Sequence, residues 1–197
     1  MTTDDKTSKP LCIDLCCGTG GWTDAFLQVG YNVIGFDTTR YPEYNGQLII
    51  QDIRTLDGKS YRGLVDVIVA SPPCSDFSRH DQPWTKARHP PEPDMSIVNT
   101  CLRLKNEINP RIFILENVRG AQKWLGKAIL RRGPFFLWGD VVLVPTLTKY
   151  RQKQSLPSSQ AALRARIPHE LAYPIALLCK QSHRKTPSLA TQKPTGH

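Results

Sequence analysis

The segment that most constrains the fold is residues 11–21, in which a short apolar run meets a cluster of glycines. Leu-Cys-Ile-Asp-Leu at 11–15 predicts a buried strand, and Cys-Cys-Gly-Thr-Gly-Gly at 16–21 predicts a tight turn. Residues 22–29 then predict a helix that ends at Gly30. A strand, a glycine turn and a helix in this order favour an α/β sheet with a ligand at the carboxyl end of the strand.

The rest of the chain repeats the alternation of strand and helix. Further strands are predicted at 32–36, 48–52, 64–70 and 111–115, with a late strand or hairpin at 135–144 and helices from Asp94 or Ser96 to about Ile108 and within 161–180. Such alternation predicts a doubly wound, mostly parallel α/β sheet.

Length and composition set the expected organisation. The chain has 197 residues, about one domain. We expect a flexible N-terminus at 1–10, one folded domain at 11–180 and a disordered basic tail at 181–197. No apolar run approaches the roughly 20 residues that cross a bilayer, and residues 1–10 lack the apolar stretch of a secretory signal. We therefore expect a cytoplasmic protein without a membrane partner.

Charge and cysteine usage narrow the partners. The net charge is +9, with 26 Lys and Arg against 17 Asp and Glu, which modestly favours a nucleic acid partner over a basic surface without one. Six cysteines contain no Cys-x-x-Cys pair, so we expect reduced thiols and no metal site.

Polar and reactive side chains recur where the predicted strands end. They are Asp14, Asp37, Asp52, Cys74 and Glu116. Because the carboxyl ends of parallel strands meet at one edge of a sheet, we expect these side chains to lie near one another. This coincidence favours an enzyme.

Two of these positions suggest chemistry when their neighbours are considered. Pro72 and Pro73 fix the backbone before Cys74, whose thiolate could attack an electrophilic carbon; the alternative is an inert cysteine in a turn. Glu116, followed by Asn117, is placed to act as an acid, the alternative being an ordinary surface glutamate. The glycine turn alone is weak support for a nucleotide-like cofactor.

Taken in order, these segments resemble the cytosine-C5 DNA methyltransferase family, and most closely its short phage- or prophage-type members. Residues 14–21 resemble its motif Asp-Leu-Phe-Cys/Ala-Gly-x-Gly-Gly. Pro73 and Cys74, with Phe77 and Ser78, resemble its motif Pro-Cys-Gln-x-Phe-Ser. The tripeptide 116–118 matches Glu-Asn-Val, and residues 166–176 resemble the final motif.

The resemblance implies a Rossmann-like fold that uses S-adenosyl-L-methionine and transfers its methyl group to C5 of cytosine. It assigns Cys74 as the nucleophile that adds to C6 and Glu116 as the group that hydrogen-bonds or protonates N3. Pro73 and Asn117 accompany them in the catalytic motifs. The cofactor-binding residues that it implies are Asp14, Leu15, Cys16, Gly18, Gly20, Gly21, Asp37, Asp52 and Ile53.

The sequence also departs from the family pattern. Cys16 and Thr38 stand where aromatic residues usually pack against the cofactor, so a reduced affinity for it is one expected consequence. The base-holding Gln-x-Arg-x-Arg motif is missing, and 150–153 or 164–166 are the candidate substitutes. About 50 residues separate Glu116 from the final motif, too few for a full target-recognition domain.

Several interpretations therefore stay open. The substrate is expected to be duplex or single-stranded DNA, with RNA cytosine as an alternative. Sequence recognition could be relaxed, could use the loop at 79–93, or could come from a partner protein. A non-catalytic nucleic-acid-binding relative and a phosphate-binding α/β protein with an incidental Pro-Cys pair are the rivals from other classes.

Overall fold

The computed structural model describes residues 9–80, 91–141, 163 and 165–185. The strands are β1 (Leu11–Leu15), β2 (Asn32–Asp37), β3 (Gln47–Ile50), β4 (Val65–Ala70), β5 (Ile112–Asn117), β6 (Leu130–Arg132) and β7 (Phe135–Gly139). The α-helices are α1 (Gly21–Gln28), α2 (Ser75–His80), α3 (Ser96–Ile108), α4 (Gln122–Leu125) and α5 (His169–Lys185). Short 3₁₀ helices lie at Ile53–Thr55, Gly58–Tyr61 and Arg119–Ala121.

Within the described residues, the strands form one sheet of order β3-β2-β1-β4-β5-β7-β6. The first five strands in this order are mutually parallel, whereas β7 runs antiparallel to β5 and β6 antiparallel to β7. The predicted doubly wound, mostly parallel α/β sheet is therefore confirmed. The chain order reverses between β1 and β4, and open α/β sheets bind ligands at such a switch point.

The sheet is covered on both faces, which explains why its central strands are apolar almost throughout. On one face α1 and α5 pack through Phe26, Leu171 and Ile175. On the other face α3 packs through Leu104 and Ile108. No helix in the described part of the chain is both long and apolar enough to cross a membrane.

The strand predictions were correct in position but not always in extent. β5 continues to Asn117, two residues beyond the predicted end, because its last residues pair with β7. β7 corresponds to the predicted late strand at 135–144, of which 142–144 lie outside the described residues. The sequence did not predict β6, which joins β7 through a turn at 133–134.

The C-terminal prediction needs correction. α5 runs through Pro174 to Lys185, so the prediction of a disordered tail from residue 181 was wrong for its first five residues. The helix persists there because Ser182 and His183 bond to a cluster at the base of the sheet. Residues 186–197 and 1–8 lie outside the described residues.

This cluster is centred on Asp66 in β4. Arg111 donates from Nε and Nη2 to the two Asp66 oxygens at 2.7 and 2.8 Å, and from Nη2 to the Cys179 carbonyl at 2.9 Å. Tyr31 donates its hydroxyl to the same carboxylate at 2.7 Å. Burial raises the pKa of Asp66, but hydrogen bonds from Arg111, Tyr31 and His183 outweigh it and hold the pKa below its ordinary value. The cluster thus fastens α5 to β4 and β5.

We expect Arg111→Ala to lower the free energy of unfolding by about 2 kcal/mol or more, because it leaves the largely buried Asp66 carboxylate without its cation. Urea unfolding followed by circular dichroism measures this change. Arg62→Ala, at an exposed position, is the matched control and should stay within about 0.5 kcal/mol of the wild type. Equal urea midpoints for Arg111→Ala and Arg62→Ala would contradict a stabilising role of the Asp66 cluster.

Candidate active site

The segment 71–74 follows β4 and forms a rigid corner. The Ser71 amide donates to the Leu15 carbonyl at 3.1 Å, which extends the pairing of β4 with β1. The Trp22 indole Nε1 donates to the Ser71 hydroxyl at 3.1 Å. Beyond the two prolines, the Cys74 carbonyl accepts hydrogen bonds from the amide and the hydroxyl of Ser78, both at 2.9 Å. Cys74 is therefore held between the end of β4 and the first turn of α2.

The end of β5 lies against this corner. Asn117, which is 1% exposed, donates its side-chain amide to the Pro72 carbonyl at 3.1 Å and accepts the Val118 amide at 2.9 Å. Glu116 precedes it in the strand and is only 8% exposed. The Asn117 contact therefore sets the position of Cys74 relative to Glu116.

Cys74 and Glu116 line the same cavity, of about 660 Å³. We call this the Cys74 cavity; its other lining residues are Ser71, Pro72, Pro73, Ser75, Ser78, Val118, Pro134, Phe135 and Ala165. The structure thus brings together three of the four predicted catalytic residues, Pro73 included. The fourth, Asn117, lies behind the wall and positions it.

A groove lies beside the Cys74 cavity at the ends of β1, β2 and β3. It consists of two cavities of about 290 and 230 Å³ that share Cys16, Asp37, Thr38 and Pro73 as lining residues. Ser71 and Pro73 line both the groove and the Cys74 cavity. A molecule in the groove would therefore lie next to a molecule in the Cys74 cavity.

Asp37, the last residue of β2, connects the glycine turn to the groove. Its Oδ2 accepts the Gly18 amide at 2.9 Å and its Oδ1 accepts the Thr39 amide at 3.0 Å. Each carboxylate oxygen has a further lone pair, so Asp37 can still accept hydrogen bonds from hydroxyl groups in the groove.

Asp52 and Ile53 line the far end of the groove together with Gln51. Asp52 forms an ion pair with Arg54 at 2.6 Å and caps the 3₁₀ helix by accepting the Arg54 amide at 2.9 Å. Hydrogen bonds from Arg54 hold the pKa of Asp52 below its ordinary value. Arg54 was not predicted to take part in the site.

Cys16 lines both halves of the groove at the position where the family carries phenylalanine. Its backbone has φ 57°, in the left-handed region that disfavours side chains. A hydrogen bond with the Cys101 thiol and burial both raise the pKa of Cys16. The thiol therefore stays neutral and provides a small apolar wall.

Asp14 lies beneath the glycine turn instead of in the groove. It is 0% exposed, and its Oδ2 accepts the Thr23 hydroxyl at 2.7 Å. Thr23 in turn bonds the Tyr44 hydroxyl at 3.0 Å, and the Tyr44 ring packs under Gly20. Burial raises the pKa of Asp14 to about 7, although the Thr23 hydrogen bond opposes this rise.

The segment 165–167 lines the groove together with Asp37. The Arg166 guanidinium donates to the Thr19 carbonyl and pairs with the Asp24 carboxylate. The Ile167 backbone lies where a side chain on Gly21 would have to be, so only glycine fits at that position. These contacts place the final sequence motif over the first one.

The segments 150–153 and 164–166 were the two candidates for an arginine that holds the base. Residues 150–153 lie outside the described residues, and so does Arg164. Arg166 lines the groove and not the Cys74 cavity, so its contacts favour a role in supporting the glycine turn.

Of the predicted cofactor-binding residues, Cys16, Gly18, Gly21, Asp37, Asp52 and Ile53 line the groove. Asp14 and Gly20 support it from behind, and Leu15 lies in the core, with its carbonyl accepting the Ser71 amide. Their direct contact with a cofactor stays a prediction. Within the described ranges, no cluster of His, Cys, Asp or Glu could hold a metal ion.

The family model for C-5 cytosine-specific DNA methylases matches residues 11–129. Because this match covers more than half of the chain, the chain belongs to the C-5 cytosine-specific DNA methylase family. The predicted family membership is thereby confirmed. The segment 166–176, which resembles the final motif, lies outside the matched residues.

Individual relatives agree with this assignment. The Type II methyltransferase M.AgeI of Thalassovita gelatinovora is 29% identical over 133 residues, covering 60% of this chain and 30% of that protein. M.DdeI of Desulfomicrobium norvegicum is 31% identical over 119 residues, covering 55% and 28%. This chain thus matches less than a third of the length of either relative.

A solved structure of the S. pombe Dnmt2 methyltransferase shares 20% identity over 58% of this chain and 36% of that one, with a TM-score of 0.40. Both the sequence identity and the TM-score of this match are low. The family assignment therefore depends on the family model and on the ordered motifs.

The raised pKa of Asp14 predicts a pH dependence of stability. Between the ordinary pKa of 3.8 and the folded value of about 7, only the folded state keeps the proton. The protonated Asp14 therefore makes its full contribution to the free energy of unfolding below about pH 4. This contribution is lost as pH rises towards 7, and the loss is at most about 4 kcal/mol. Asp14→Asn should abolish this slope, as measured by urea unfolding from pH 4 to 7.

The matched control is Glu43→Gln, which makes the same carboxyl-to-amide change at an exposed position. It should keep the pH dependence of the wild type. A slope that survives in Asp14→Asn would show that the dependence arises elsewhere.

Proposed function

We propose that this chain is a DNA cytosine-C5 methyltransferase, which transfers a methyl group from S-adenosyl-L-methionine to C5 of cytosine through a covalent Cys74 adduct. The observation that carries the proposal is the shared cavity of Cys74 and Glu116, which adjoins a groove at the switch point of the sheet. Family membership supports the reaction class, and the family description names DNA.

The groove fits S-adenosyl-L-methionine in its polar groups. Thr19 lines it and is 3% exposed, yet its hydroxyl has no hydrogen-bond partner among the described residues. A buried hydroxyl without a partner costs roughly 1–3 kcal/mol, so a ligand that bonds to Thr19 would be favoured. Asp37 has lone pairs available for ribose hydroxyls, and Asp52 with Gln51 offers acceptors at the far end.

We assign Cys16, Gly18, Thr19, Asp37, Asp52 and Ile53 to holding the cofactor. When bound there, it supplies a methyl group on a positively charged sulfur, which a nucleophilic carbon can accept. The shared wall at Ser71 and Pro73 supports this placement beside the Cys74 cavity.

The chemistry of Cys74 follows from the low reactivity of cytosine. C5 of the intact ring is too weak a nucleophile to take a methyl group. Addition of the Cys74 thiolate to C6 turns C5 into an enamine-like carbon with higher electron density. After methylation, loss of the C5 proton and elimination of the Cys74 thiolate restore the ring.

Glu116 and its neighbours support that addition. Glu116 hydrogen-bonds or protonates N3 of cytosine as negative charge develops there. Its burial at the end of β5 excludes water, which strengthens the interaction. Pro73 and Asn117 position the Cys74 backbone, and a duplex substrate has to flip the cytosine out of the stack to reach the cavity.

We further propose that residues 11–180 act as a catalytic domain without a full target-recognition domain. The short stretch of about 50 residues between Glu116 and the segment 166–176 supports this division. Sequence recognition would then be relaxed, or would come from the segment 79–93 or from a partner protein.

Transfer of labelled methyl groups to mixed-sequence duplex DNA tests the proposal. Cys74→Ser should lower the rate by about a thousandfold or more, because the adduct no longer forms, and Glu116→Gln by roughly 10²–10⁴. The matched control is Cys179→Ala, a buried cysteine in α5 away from both cavities. It should stay within about threefold of the wild type.

Two outcomes would contradict the proposal. One is a Cys74→Ser variant as fast as the wild type. The other is no transfer by the wild type to duplex DNA, single-stranded DNA or tRNA, with purified protein or with added host extract. Transfer to tRNA alone would replace the DNA substrate by RNA.

A further inference from the structure

The segment 118–135 starts and ends at the wall of the Cys74 cavity. Val118 lines the cavity where β5 ends, and Pro134 and Phe135 line it where β7 begins. Between these points the chain forms α4, β6 and the turn at 133–134. Whatever enters the Cys74 cavity therefore passes close to this segment.

The segment carries charge of one sign only. It holds five basic residues and no acidic one, namely Arg119, Lys123, Lys127, Arg131 and Arg132. Lys123 lies 3.8 Å from the Glu92 carboxylate and 4.7 Å from the centroid of the Trp124 ring. Its charge is thus partly compensated.

We call Lys127, Arg131 and Arg132 the basic hairpin. Lys127 and Arg131 are exposed and Arg132 is half-buried. Among the described residues, no carboxylate forms an ion pair with any of the three. The next acidic residue along the chain, Asp140, accepts the Phe113 amide instead.

The two arginines are held in place by neutral partners. The Arg131 guanidinium lies 5.4 Å from the centroid of the Phe136 ring, and its Nε donates to the Gly133 carbonyl at 3.3 Å. Arg132 donates to the Arg131 carbonyl at 3.4 Å. Because a ring and carbonyl oxygens leave the positive charge uncompensated, both guanidinium groups keep their attraction for an anion.

We propose that the basic hairpin binds the phosphate backbone of duplex DNA beside the cytosine that enters the Cys74 cavity. This inference rests on the proposed function and names the surface that holds its substrate. Arginine suits phosphate because its planar fork can donate two hydrogen bonds to one group. Backbone contacts of this kind supply affinity and register without reading sequence. Their contribution to affinity would not depend on a target-recognition domain.

The test is the affinity of the full chain for a fluorescent 30-base-pair duplex, measured by anisotropy at several salt concentrations. Replacing Arg131 and Arg132 together by Glu should raise the Kd about tenfold or more, and flatten the slope of log Kd against log salt by about two. Lys127→Glu, which lies outside the strand, should raise the Kd about threefold and keep the wild-type Tm.

The matched control is Lys59→Glu with Arg62→Glu, which makes the same charge change at exposed positions in and after the 3₁₀ helix Gly58–Tyr61, away from the segment 118–135. The slope of log Kd against log salt should then differ from that of the wild type by no more than about 0.5. A hairpin variant that binds DNA as this control does overturns the inference. So does a hairpin variant that loses affinity for duplex RNA of the same sequence but not for DNA.

The binding and methyl-transfer experiments can contradict the two proposals independently of each other. Loss of DNA affinity in the hairpin variants, with a wild type that transfers no methyl group, supports the hairpin and contradicts the proposed function. Unchanged DNA affinity, with an active wild type, supports the proposed function and contradicts the hairpin.

Discussion

The hydrogen bond from the Asn117 amide to the Pro72 carbonyl is the contact on which the site depends most. It joins the end of β5 to the loop that follows β4, in a place from which water is excluded. Because the two prolines make that loop stiff, fixing one carbonyl fixes Cys74 as well. Glu116 is the residue before Asn117, so a single contact sets the two reactive side chains on one cavity.

The groove depends on contacts between parts of the chain that are distant in sequence. Asp37 accepts the Gly18 amide, and Arg166 bonds the Thr19 carbonyl and the Asp24 carboxylate. The glycine turn is thus held by a strand end and by the final motif together. The Cys74 cavity and the groove share Ser71 and Pro73 as lining residues. Contacts that hold the glycine turn therefore also stabilise the region where the proposed cofactor and cytosine would meet.

Much of this arrangement follows from sequence, and the remainder depends on tertiary contacts. The apolar runs and the glycine turn predict β1 and α1 because their signals are local. The motif order predicts that Cys74 and Glu116 meet. The bonds of Asn117 to Pro72 and of Arg166 to Asp24 have no local signal, since each joins residues that only the folded chain brings together. β6 was not predicted because a strand of three residues, two of them arginines, has no apolar pattern that indicates a strand.

The central claim is that Cys74 forms a covalent bond with cytosine, and trapping on DNA that contains 5-fluorocytosine tests it most directly. After methylation, fluorine at C5 cannot leave as the proton does, so the adduct should persist. With S-adenosyl-L-methionine present, we expect a denaturation-resistant protein–DNA species whose peptide map assigns the link to Cys74. No such species for the wild type, or an equal yield for Cys74→Ser, would contradict the account.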